Sequence, residues 1–381
     1  MAELDVLRGL AILAVLFYHG LYWSAATSSN HLATLFIKAT AVGWLGVNLF
    51  FVLSGFLITG ILLDTKGSPS FYRKFYFRRV LRILPAYLAL VGLLTLIGWA
   101  TFRSATLMLL FLANTGSAFQ GGGYGPFWSL SVEEQFYLIW PAFVGRVSVR
   151  VLTVISVALC FVEPLLRWLD TTGHLPLGDV RTATYLIADN LALGALAAIF
   201  ARSRYGTLRN GIKLGLGLCL AGLVIFMAGY PFGIMHRASI IGDTFQTVPW
   251  NLFFTGILLL SLGLRSPLVS SVWAAPLRFL GYISYGLYLV QYLIFAKYDG
   301  YVLRLSNSSL RHLLEGSFTR FFLAGGLSIL IAWLSRTFYE ERFLQIGRAS
   351  RRAETSPIAV RASSEDAPLG SSPPETRSTP A

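Results

Sequence analysis

Residues 4–20 read LDVLRGLAILAVLFYHG, and the reading of this stretch decides the fold. It has the apolar length needed to cross a hydrocarbon core about 30 Å thick, yet it carries Arg8 near one end and His19 near the other. On an α-helix turning about 100° per residue, these positions differ by three turns and about 20°, so Arg8, Ile12, Val15 and His19 form one stripe. The polar groups at its ends lie about 16 Å apart along the axis. Holding such groups against lipid costs a few kcal/mol each, so the stripe is expected to face the bundle interior or a wet cavity. Taken singly, each residue also fits an interfacial position with its apolar part in the bilayer.

The rest of the chain agrees with a membrane reading. Its 381 residues are 55% hydrophobic and only 13% charged, with a mean hydropathy of +0.63. A water-soluble domain has about 25% charged residues, so this chain has too few to cover a water-facing surface. Apolar segments of roughly 20 residues fall near 4–23, 44–63, 84–101, 128–145, 150–169, 184–200, 211–230, 248–264, 278–297 and 319–338. The run at 105–113 is too short to cross. The expected fold is therefore an all-α polytopic membrane helix bundle of about ten transmembrane helices.

With the N-terminus cytoplasmic, twenty Lys and Arg residues fall on the inner side of these spans and nine on the outer side. Cations resist translocation, so both termini are expected inside, N-in/C-in. Glu3 and Asp5 stand where a signal peptide would carry positive charge. Residues 1–345 are expected to form the transmembrane domain. Residues 346–381, rich in Ser, Pro and charge, are expected to be a disordered cytoplasmic tail. The formal charge of +13 then speaks for membrane lipids and topology rather than nucleic acid. Cys160 and Cys219 lie in apolar runs, which excludes a disulfide framework or a Cys-based metal cluster. No metal is expected.

Several residues suggest chemistry. His19 is the one histidine on a predicted span, and a neutral imidazole is a competent general base near neutral pH. Arg78, Arg79 and Arg82 stand at the cytoplasmic start of the third span, where clustered guanidiniums chelate phosphate oxygens through paired N–H donors. A plain positive-inside stop accounts for the same residues. In WSLSVEEQFYL (128–138), Ser131 with Glu134 fits a capping box, which leaves Glu133 as the acid without a structural reason. Trp128 fits an interfacial aromatic belt or a platform for a sugar ring. Asp189 lies inside the sixth apolar segment, where a carboxylate is a functional suspect. Asn48 and Ser54 on the second also fit interhelical hydrogen-bonding roles.

Arg, ten residues, then His on a first span resembles the signature of the acyltransferase 3 family, polytopic bacterial membrane enzymes that move acyl groups. GVNLFFVLSGFLIT (46–59), FRRVLRILPAYL (77–88), FWSLSVEEQFYLIWP (127–141), DNLALGALAA (189–198) and ISYGLYLVQ (283–291) look like its successive blocks in order. The resemblance covers most of residues 4–345. It implies an O-acyltransferase of the bacterial cytoplasmic (inner) membrane. It would move acetyl from acetyl-CoA to a hydroxyl of a carbohydrate or lipid-linked saccharide, such as an exopolysaccharide. Under it, His19 and Glu133 are the catalytic candidates, Arg8, Arg78, Arg79 and Arg82 hold the coenzyme, and Trp128, Asp189 and Asn48 contact the acceptor. His19 would serve either as general base or as a covalent acyl carrier.

Three positions depart from the family pattern. Gln291 stands where histidine is common, Ile187 where arginine often precedes the sixth-span aspartate, and Arg342 where proline is usual. The alternative from another class is a secondary transporter or flippase for a polar solute, since buried Arg, His and Asp also suit a solute pathway. The chain lacks the two similar halves that many transporters show.

Overall fold

The computed structural model describes residues 2–23, 30–115, 123–179, 181–236, 239–264 and 267–354. The described chain is an all-α membrane bundle. Eight of its helices are long and apolar enough to cross a bilayer: α1 (Ala2–Tyr22), α2 (His31–Thr65), α3 (Phe71–Leu96), α6 (Val149–Thr171), α8 (Leu208–Phe232), α9 (Ile240–Leu264), α10 (Val272–Val302) and α12 (Ser317–Arg348). Between them lie α4 (Phe102–Leu109), α5 (Phe127–Arg146), α7 (Asp189–Arg202) and α11 (Ser308–Glu315). Helices dominate because lipid offers the backbone no hydrogen-bond partner, so each segment must satisfy its own N–H and C=O groups.

Two of the ten apolar segments are not among these eight, for separate reasons. The one at 128–145 forms α5, which carries Glu133, Glu134 and Arg146. The one at 184–200 starts as a short 3₁₀ turn and becomes helical only at Asp189, so α7 has 14 residues. At 1.5 Å per residue that is about 21 Å, less than the hydrocarbon thickness. The short run at 105–113 falls largely on α4, an eight-residue helix. The chain remains helical through Glu341–Glu354, past the expected domain limit at residue 345. Residues 355–381 of the expected tail lie outside the described residues, as do Arg237 and Arg265 of the charge count.

Close backbone approach fixes the centre of the bundle. A Cβ at Gly9 of α1 would lie 2.0 Å from the Leu277 carbonyl oxygen of α10, and one at Gly281 would lie 1.9 Å from the Asp5 carbonyl oxygen. Helices α2 and α7 show the same reciprocity. There a Cβ at Gly55 would lie 2.0 Å from the Leu191 carbonyl oxygen and one at Gly194 would lie 2.1 Å from that of Val52. Lipid tails are as apolar as leucine, so helices in a bilayer associate through such small-residue contacts rather than by escape from water. Apolar side chains seal the seams: Leu4, Leu7 and Ala11 of α1 pack with Leu49, Val52 and Leu53 of α2. Ile12 and Leu16 pack with Ile283 and Leu287 of α10.

Replacing Gly281 by leucine should force α1 and α10 apart. Overpacking of this kind costs about 1–3 kcal/mol or more, and thermal unfolding of the purified variant should show a lowered midpoint. An unchanged midpoint would mean that the two backbones are not held together at this point.

Candidate active site

Helix α1 is α-helical from Ala2 to Phe17 and then widens into a π-helical turn, Tyr18–Tyr22. His19 lies in that turn, half-buried, edge-on to Trp23 and Tyr292 with ring centroids 5.6 Å away in each case. Its Nδ1 lies 2.9 Å from the Gln291 amide nitrogen, which donates to it. Gln291 itself is fully buried on α10. Thus the residue that departs from the family pattern is the direct partner of the imidazole.

A second device holds the turn. Arg320, at the start of α12, donates through Nη1 to the carbonyl oxygens of His19 and Gly20, each at 2.7 Å. Its Nε and Nη2 bind the Asp299 carboxylate at 2.6 and 2.8 Å, and the guanidinium lies over the Phe295 ring. The last carbonyls of a helix lack intrahelical partners and carry partial negative charge, so a guanidinium is a suitable cap. Gly20 has no side chain because Phe321 and Phe295 occupy that space, 2.7 and 2.8 Å from a would-be Cβ. Sequence reading counted Arg320 only as an outer-side cation. Its place on a span boundary, 301 residues from His19, gave no local signal of this contact.

Two cavities meet beside α1. The first, of about 100 Å³, is lined by Arg8, Arg79, Arg82, Ser54, Glu133 and Tyr137 among others. The second, of about 490 Å³, is lined by His19, Asn48, Trp128 and further aromatic and polar residues. Val47, Phe51 and Tyr288 line both, so these three side chains are the partition between them. The Tyr288 hydroxyl is tied to Ser129 Oγ at 2.5 Å. The expected stripe is thus divided in space. Arg8 lines the first cavity, Val15 and His19 the second, and Ile12 is sealed in the core between them.

In the arginine-lined cavity, Arg79 stacks on Tyr137 at 5.1 Å, and Arg8 pairs with Asp5 at 3.6 Å. Arg78 does not line it. Only two of the three arginines predicted from the loop therefore converge with Arg8. Ser54 donates to Glu133 at 2.5 Å and accepts from the Tyr137 hydroxyl at 2.9 Å. Glu133 accordingly faces the arginines rather than the imidazole. Glu134 forms no capping box. The helix begins at Phe127, so Ser131 is internal and donates back to the Phe127 carbonyl oxygen.

In the histidine-lined cavity, Asn48 donates to the side-chain oxygens of Asn190 and Asn251 at 3.0 and 3.1 Å. Trp128 stands edge-on to Phe51. Asp189 is buried just behind the wall and is not part of it. Its partner is Arg167 of α6, at 2.9 Å. The same guanidinium donates to the carbonyl oxygens of Thr244 at 2.9 Å and Leu186 at 2.6 Å, while Glu163 accepts from the Asp189 backbone N–H at 2.6 Å. This explains Ile187: the cation that balances Asp189 comes from another helix. An arginine inside the predicted span 150–169 was the sequence signal for it.

Comparison with known proteins adds to this geometry. The acyltransferase-domain family model matches residues 1–337. A putative peptidoglycan O-acetyltransferase YrhL of Bacillus subtilis is 28% identical over 328 residues, covering 76% of this chain and 48% of that protein. The peptidoglycan O-acetyltransferase OatA of Listeria monocytogenes is 33% identical over 163 residues, covering 37% of this chain and 24% of the Listeria protein. An uncharacterized protein of Haemophilus influenzae is 34% identical over 195 residues, covering 44% of this chain and 78% of its own length. The chain thus spans at most about half the length of the two named O-acetyltransferases. No solved structure matches.

Removing Arg167 should leave the Asp189 charge uncompensated among helices α6, α7 and α9. Arg167→Met is expected to cost about 3–5 kcal/mol of stability. Arg167→Met combined with Asp189→Asn should recover a large part of it in a thermal-unfolding cycle. Additive losses in the double variant would deny the coupling.

Proposed function

Because the chain belongs to the acyltransferase 3 family, we propose that this multi-pass membrane protein is an O-acyltransferase. In this reading it moves acetyl from acetyl-CoA to a hydroxyl of a cell-surface carbohydrate. The observation that carries the reading is the pair of adjoining cavities, one lined by arginines and the other by His19, with a three-residue partition between them. Acyltransfer needs two ligands of opposite character brought to one point. Three guanidiniums suit the phosphates of a coenzyme, and an aromatic-lined cavity with an imidazole suits a neutral sugar. Two relatives named as peptidoglycan O-acetyltransferases, one of them putative, support a glycan acceptor.

In this reading the arginine-lined cavity opens to the cytoplasm of a bacterial inner membrane, in keeping with the excess of Lys and Arg on that side. The coenzyme phosphates are held by Arg8, Arg79 and Arg82, and the acyl end crosses the partition toward His19. His19 Nε2 takes the proton from the acceptor hydroxyl. The hydroxyl oxygen bonds to the thioester carbonyl carbon, the carbon–sulfur bond breaks, and the thiolate leaves to be protonated as coenzyme A. Gln291 has a specific part in this step. Nε2 can take a proton only in the tautomer that carries its hydrogen on Nδ1, and the Gln291 amide can serve both tautomers. Turned one way its N–H donates to a bare Nδ1; turned the other way its oxygen accepts from Nδ1–H, which frees Nε2 to act as the base and continues to hold the imidazolium that forms. Direct transfer is preferred to an acyl-histidine intermediate, because both stages of a relay would need the same crowded nitrogen. Arg320 acts as a positioning residue by fixing the backbone of the turn.

Purified His19→Ala should insert with normal yield and lose about 100- to 10,000-fold in acetyl transfer, read as thiol release from acetyl-CoA. Wild-type turnover would remove His19 from the chemistry. Arg79→Ala with Arg82→Ala should raise KM for acetyl-CoA more than KM for the acceptor, and Arg78→Ala should change neither. Equal changes in both would argue against a coenzyme site. Arg320→Gln should lower kcat by about 100-fold with little change in either KM, whereas a purely structural role would lower folded yield alone.

A further inference from the structure

The histidine-lined cavity has two unlike ends. Around His19 it is aromatic, with Trp23, Trp128 and Tyr292 on its wall. The other end is built by the loop before α7 and by the start of α9, and it is polar, with Asp179, Arg181, Asp243, Gln246 and Thr247 beside Asn48. The hydrogen bonds already made by these groups determine what they can still offer.

Both amide hydrogens of Asn48 go to Asn190 and Asn251, so its oxygen is its remaining acceptor. Gln246 donates to the Met235 carbonyl oxygen at 3.3 Å, which leaves its amide oxygen and one N–H. Asp243 Oδ1 takes Arg181 at 3.1 Å, leaving Oδ2. Thr247 Oγ1 is buried with no partner among the described residues. The unused groups include both acceptors, on Asn48, Gln246, Asp243 and Thr247, and donors, on Arg181, Gln246 and Thr247. Two carboxylates on the wall against the one guanidinium of Arg181 oppose an anion here, because Arg167 is already balanced by Asp189. A ligand that satisfies this wall must both donate and accept several hydrogen bonds and carry no negative charge. Hydroxyl and acetamido groups of a neutral sugar do this. A phosphate or carboxylate does not.

We infer that the polar end of this cavity is a second saccharide subsite, which binds the neutral sugar unit adjoining the one whose hydroxyl reacts at His19. The inference rests on the acyltransferase reading for the identity of the reacting unit, and it specifies the acceptor further: an oligosaccharide of at least two units rather than a single sugar. The cavity volume of about 490 Å³ lies in the range that encloses a drug-sized ligand, which two linked sugar rings match and one ring leaves partly unfilled.

The experiment uses the full-length protein in detergent with N-acetylglucosamine and its β-1,4-linked dimer and trimer as probes. Binding is followed by tryptophan fluorescence and transfer by thiol release from acetyl-CoA. The dimer is expected to bind about tenfold more tightly than the monomer. Thr247→Val and Gln246→Leu should each weaken dimer binding about three- to tenfold, and by clearly more than they weaken the monomer. Equal affinity for monomer and dimer, equal weakening of both by the variants, or no binding of any probe would overturn the subsite. The two readings separate cleanly: absence of thiol release with intact dimer preference defeats the acyltransferase reading and leaves the subsite standing.

Discussion

Backbone contact between α1 and α10 is the constraint on which the site depends. Gly9 against Leu277 and Gly281 against Asp5 bring the two helices closer than any side chain allows. In lipid this contact cannot be replaced by hydrophobic attraction, because the competing solvent is itself apolar. Further along the same pair of helices, the proximity puts Gln291 within hydrogen-bonding distance of His19 and sets Tyr288 at the meeting of the two cavities.

The two buried arginines among the described residues follow one rule. Arg167 and Arg320 are almost fully enclosed, and each is matched by a carboxylate and by backbone carbonyl oxygens from separate segments. A lone guanidinium at that depth would cost several kcal/mol, and satisfying it in this way turns a liability into a cross-link. One of the two organises the polar wall of the histidine-lined cavity, and the other caps the turn that presents the imidazole.

The membrane class and most helices were legible in the sequence, because runs of apolar residues reflect a local constraint, the thickness of the bilayer. Lengths failed where that constraint relaxes: α7 lies inside the protein, so nothing requires it to reach across the lipid. The stripe from Arg8 to His19 was legible from helical periodicity. Its division by Ile12 and the shared partition was not, since that depends on Val47, Phe51 and Tyr288 from other helices. The partners of His19 and Asp189 were hidden for the same reason. Gln291 lies 272 residues from His19 with no local pattern to mark it, and the place of Arg167 inside a predicted span marks it as buried without saying that its carboxylate lies 22 residues away. The split of Arg78 from Arg79 and Arg82 came from helix azimuth, which charge clustering alone does not resolve.

The partition has a consequence for the cell as well as for the site. If the two hollows open at opposite faces of the bilayer, as the proposed function requires, the thin septum between them would carry most of the transmembrane voltage. Across that septum a field falls over a few ångströms instead of about thirty. A side chain that swung aside to admit a reactive tail would have to be replaced at once by the tail itself, or ions would leak through the gap. On the proposed function, the rings of Phe51 and Tyr288 would serve as electrical insulation as well as a doorway.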